Sequence, residues 1–137
     1  MAEVIGKNWA NKHNVKNWTI SSAGTLNIYD SPASENAIIA CREIGIDLEN
    51  HLSRGLTHDL VVKQNYIFGM ENAHCSITRD IVPEVSDRIF TLGNFAGIVQ
   101  NSQVEDPMGL DLHEYRQTRN HLIDLVDLAF DRIYKTR

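Results

Sequence analysis

Short apolar runs that alternate with helical stretches constrain this chain more than any other feature of it. Pro32, Pro83 and Pro107 each stand where a periodic segment stops, as breakers should. Residues 2–13 (AEVIGKNWANKH) place Val4, Ile5 and Trp9 on one side of a helix. Residues 17–22 (NWTISS) alternate Trp18 and Ile20 with polar neighbours, which predicts a strand, and the following SAGT supplies turn residues. Over residues 33–44, Ala37, Ile38, Cys41 and Ile44 recur at helical spacing, with Ser34 as a cap candidate. A strand is expected at 66–70, a helix at 71–79 and a second apolar strand at 88–92 (RIFTL). From 111 to about 134, Leu112, Tyr115, Leu122, Val126, Ala129 and Ile133 mark one face of a long helix. Asp111, with Glu114 three residues on, resembles a capping box at its start.

Strands separated by helices of this length imply βαβ units and a parallel sheet, with right-handed crossovers. Three strands under four helices make a thin sheet. The 137 residues show no internal repeat and no linker, and their apolar fraction of 42% suits one α/β domain spanning 1–137. The formal charge of −5, from 13 Lys and Arg against 18 Asp and Glu, argues against nucleic acid or an anionic membrane surface as a partner. No apolar run approaches the roughly 20 residues of a membrane span. The opening MAEVIGKNWA lacks the apolar stretch of a signal peptide, so a cytoplasmic protein is expected.

Two cysteines make no disulfide framework, and neither belongs to a cluster with zinc-ligand spacing. Cys41 reads as a small buried residue on a helix face. Cys75 follows His74, but adjacent residues on a helix do not face each other, so adjacency builds no nucleophile–base pair.

Several segments, in order, resemble the low-molecular-weight protein-tyrosine phosphatase family, in its bacterial-type branch. They are SSAGT at 21–25, SPASENAIIACREIGIDLENHLSR at 31–54, YIFGMENAH at 66–74, RIFTLGNF at 88–95, VEDPMG at 104–109 and the helix opening LDLHEYRQTRNHLIDLV at 110–126. Together they cover nearly the whole chain. The family's signature is a first strand running into a loop of Cys, five residues and Arg, then Ser-Pro and commonly Met-Ala-Glu. This chain opens on Met1-Ala2-Glu3, and neither Cys has Arg six positions later: those places hold Asp47 and Ile81.

The resemblance implies a three-layer parallel α/β fold, here without its first strand and nucleophile loop. It implies phosphomonoester hydrolysis through a cysteinyl-phosphate in a full-length form, with no cofactor and no metal. Asp106 matches the general acid of the Asp-Pro motif. Ser22 and His51 match positions that brace the phosphate loop. Tyr29, in the variable loop GTLNIYDS, is expected to line the substrate mouth. Met108 stands where many relatives place an aromatic, which weakens stacking on phosphotyrosine and leaves phosphoarginine open. Arsenate reduction needs a resolving Cys that Cys75 alone does not supply. The expected partner is a phosphorylated protein or small phosphoester, with self-association through exposed strand edges. A misplaced start or a shortened chain accounts for the missing loop. The rival is a non-catalytic pseudophosphatase that binds a phospho-ligand or partner.

Overall fold

The computed structural model describes residues 1–136. In chain order they form α1 (Ala2–Lys12), α2 (Glu35–Arg42), α3 (His58–Val62), β1 (Ile67–Gly69), α4 (Asn72–Ile81), a 3₁₀ segment (Pro83–Arg88), β2 (Ile89–Thr91), α5 (Leu92–Phe95) and α6 (Leu112–Lys135). β1 and β2 pair in parallel, with Phe68 opposite Phe90.

Successive strand residues point to opposite faces, and the two faces meet different layers. Phe68 and Phe90 pack against the larger core of α1, α2, α5 and α6, which holds Ile5, Trp9, Leu92, Leu122, Leu125 and Val126. Ile67 and Ile89 join the smaller core, where Val61, Cys75, Val82 and Val85 come from α3, α4 and the 3₁₀ segment. The result is a parallel sheet between helical layers, as the alternation of elements requires.

The long helix buries the face its spacing marked out, widened by Leu125 and Phe130. Its start differs from the expected box. Asp111 accepts the Glu114 amide at 3.1 Å, but the reciprocal pair forms instead at α4, between Glu71 and His74. Ser34 caps α2 by accepting the Ala37 amide at 3.3 Å. That helix ends at Arg42, so Ile44 lies beyond it and is exposed. The short helices α3 and α5 lack a periodic apolar stripe long enough to be read from sequence.

The strand expected at 17–22 is not in the ladder. Among the described residues, 19–23 make no main-chain-to-main-chain hydrogen bond, and pairing resumes only where the Gly24 amide donates to Arg54 O at 2.9 Å. Alternation places side chains on two sides of an extended segment, but a strand exists only against a neighbour. This segment is held by side chains instead. Trp18 stacks parallel to Trp9 at 5.8 Å and meets Phe130 edge-on at 5.8 Å.

Candidate functional site

Glu3 lies in the first turn of α1, where the helix dipole favours a carboxylate. Three side chains converge on it. Ser22 Oγ donates to Oε1 at 2.8 Å, and Lys7 Nζ donates to Oε2 at 2.8 Å. His51 Nδ1 stands 3.6 Å from Oε2. Burial works against the Glu3 charge, but the hydrogen bonds from Lys7 and Ser22 and the charges of Lys7 and His51 outweigh it, holding the carboxyl below its ordinary value. Ser22 and His51, paired in expectation only through a loop they would brace, are thus joined through Glu3.

A second set of bonds fixes the segment around Tyr29. Leu56 N donates to Gly24 O at 3.0 Å, Asp30 N to Ser53 O at 2.8 Å and Ser53 N to Ser31 O at 2.9 Å. Arg54 Nε donates to Ser22 O at 3.0 Å, tying this flap to the Glu3 cluster. The Tyr29 ring lies over Gly55: a Cβ there would stand 2.7 Å from the Tyr29 hydroxyl, so a larger residue would push the ring aside. Between flap and helix lies a shallow depression of about 310 Å³ lined by Glu3, Asp30, Asn50, His51 and Arg54 among others.

Asp106 sits in the exposed loop that leads to α6. Its Oδ1 accepts the Met108 amide at 3.0 Å, closing a turn around buried Pro107. Burial lowers the Met1 amine, with the Glu3 and Asp106 carboxylates opposing that shift. Met108 is 74% exposed and points to solvent. Among the described residues no hydrogen bond joins Asp106 or Met108 to Ser22, His51 or Tyr29. The structure therefore brings Ser22 and His51 together on Glu3, and leaves Asp106 in its exposed loop and Tyr29 and Met108 on the surface.

Both thiols are buried. Burial raises Cys41, against the opposing charges of the Met1 amine and Arg119. Burial also raises Cys75, opposed by a hydrogen bond with the Gly69 main chain and by the charge of Arg79. A thiol so placed is neither ionised nor reachable, the reverse of what a nucleophile needs. No group of three or more His, Cys, Asp or Glu side chains gathers to hold a metal among the described residues. No described helix is long and apolar enough to cross a membrane.

Glu3 is the site residue that reasoning from side-chain spacing missed. Its signal was present in the opening Met-Ala-Glu, but its partners lie 19 residues away at Ser22 and further on at His51.

The layered architecture is shared with solved phosphatases. It superposes on the YwlE arginine phosphatase, in the form with a phosphorylated active-site serine, with a TM-score of 0.91 and 28% identity, covering 99% of this chain and 88% of that one. It superposes on the low molecular weight protein tyrosine phosphatase of T. tengcongensis with a TM-score of 0.88 and 30% identity, covering 96% and 88%. The chain belongs to the low molecular weight phosphotyrosine protein phosphatase family, whose profile matches residues 1–136. It is also similar to the protein-arginine-phosphatase of Bacillus subtilis (strain 168), with 29% identity over 100% of this chain and 89% of the relative.

Proposed function

We propose that these residues form a single α/β domain of a phosphatase that cleaves phosphorylated protein side chains through a cysteinyl-phosphate, and that the nucleophile is not among these 137 residues. What supports this reading is the Ser22–Glu3–His51 cluster in the first turn of α1, in a chain whose family match spans residues 1–136. Helix N-termini favour phosphate, through their free amides and dipole.

The chemistry divides accordingly. A thiolate supplied by a Cys-x5-Arg loop attacks phosphorus, the P–S bond forms and the ester bond breaks. Asp106 gives its proton to the departing oxygen or nitrogen. Water then attacks the phosphocysteine, the Asp106 carboxylate takes its proton, and inorganic phosphate leaves with the thiolate restored. Ser22 and His51 hold that loop in place, and Tyr29 and Met108 border the substrate. The relatives' names include both arginine and tyrosine phosphatases, and a flexible Met108 in place of an aromatic favours phosphoarginine over a stacked phosphotyrosine.

The 137-residue chain itself is expected to be inactive, since thiolate, Arg and amide cradle are all lacking; losing the nucleophile alone costs several orders of magnitude in such sites. The test is turnover of an aryl phosphate and of a phosphoarginine peptide by mass-verified protein. Hydrolysis above background that Cys75→Ser abolishes would overturn this reading and make Cys75 the nucleophile.

A second reading, a binding protein without turnover, is favoured by one contact: Ser22 is already satisfied by Glu3 without any loop. In either case the extended 19–23 segment and the outer edge of β1 offer unpaired backbone, which invites pairing between chains in the cytoplasm. Sedimentation that stays monomeric across a hundredfold concentration range would exclude that association.

A further inference from the structure

The loop that carries Asp106 is fastened just before it begins. Gln103 Oε1 accepts the main-chain N–H of Asn72 at 2.7 Å, the first amide of α4. The first amides of a helix have no partner within it. Here the Glu71–His74 box satisfies the third, and the Gln103 side chain, arriving from 31 residues away, satisfies the first. Next to it, the Val104 amide donates to Met70 O at 2.9 Å, and Val104 is buried. Two residues on, Asp106 closes its turn on the Met108 amide. The far side of the loop is held more loosely, by Asn36 Nδ2 at 3.5 Å from Leu110 O.

Resting on the reading of Asp106 as general acid, we propose that Gln103 is a positioning residue for Asp106. Its side-chain carbonyl, docked on the start of α4, fixes where the loop between α5 and α6 passes the end of β1 and so where the carboxyl stands. Val104 supplies apolar anchorage that any buried residue could give. Gln103 supplies direction, because a hydrogen bond to one amide defines a point and an angle. The position requires only an acceptor. Glutamate keeps one and adds a negative charge that a helix N-terminus favours. Methionine keeps the length and offers none of comparable strength.

Hydrogen exchange on the 137-residue chain tests this without any turnover. Gln103→Met is expected to speed exchange of the Met108 amide about five- to tenfold, the effect of losing one hydrogen bond that orders the turn. Amides of α6 should not change, and Gln103→Glu should restore the wild-type rate at Met108. Gln103→Ala gives the same comparison without a long side chain. Unaltered Met108 exchange in Gln103→Met would overturn the proposal, as would a Gln103→Glu chain that exchanges as fast as Gln103→Met. The acid assignment fails by a different result, equal loss for good and poor leaving groups in Asp106→Asn of a loop-bearing form, and that result does not bear on Met108 exchange in the Gln103 variants.

Discussion

Trp9, two turns into α1, is buried between Trp18 and Phe130, with its indole N–H donating to Asp127 Oδ1 at 2.9 Å. Glu3, in the first turn of the same helix, is held by Ser22, Lys7 and His51. The seam with α6 is tight enough that a Cβ on Gly6 would meet the Phe130 ring at 3.0 Å. Around the other end, Leu26, Ile28, Tyr29, Leu52 and Met108 are all exposed. One end of α1 is thus fixed mainly by close apolar packing, the other by a few polar contacts, two of them from distant parts of the chain. The first makes stability and the second makes geometry, so substitutions at the two ends should separate these quantities.

The largest effect on stability is expected at the seam. Trp9→Ala should cost about 3–5 kcal/mol, a large share of a domain's margin of roughly 5–15 kcal/mol, read from urea unfolding. A cost below about 1 kcal/mol would mean the seam does not carry the fold. At the other end, the largest expected effect is on rate. In a form that bears the Cys-x5-Arg loop, Asp106→Asn should lower kcat by about 10²–10⁴-fold, and least for substrates whose leaving group needs no proton.

A peptide with the family's first strand and loop should stabilise the chain by mass action, by about 2.7 kcal/mol at a hundredfold excess over Kd. Its effect should fall on the loop end and leave the Trp9 seam unchanged. A sharp, reversible melt that the peptide does not move would show that the sheet closes by another route.

Removing the Glu3 charge should cost less, about 1–3 kcal/mol, and it carries a pH signature. Because the folded carboxyl titrates below its ordinary value of 4.5, its contribution is complete above that value. It is lost as pH falls through the folded value. Wild-type stability should therefore decline below pH 4.5 more steeply than that of Glu3→Gln. Parallel acid profiles would remove Glu3 as the hub. The smallest effect belongs to the rim: Tyr29→Ala should shift stability by no more than about 0.5 kcal/mol, and a loss as large as that of Trp9→Ala would erase the distinction between the two ends.

Helical periodicity and caps act within a few residues of one another, so the amino-acid order alone determined α1, α2, α4 and α6, the Ser34 and Asp111 caps, and the two strands that pair. The ordered motifs from SSAGT to VEDPMG likewise carried the family without any structure. Residues 17–22 have the alternation of a strand, yet a ladder is a relation between two segments, and only the tertiary structure decided that none forms there. The reciprocal cap fell to Glu71 and His74 rather than to Asp111 and Glu114 because side-chain direction, not spacing, completes such a box. The Glu3 cluster depends in the same way on folding, which brings Ser22 into hydrogen bonding with Glu3 and His51 to 3.6 Å from it, from segments that share no local pattern. Directional contacts over long sequence separations have no period to read, and only the packed layers set their distances.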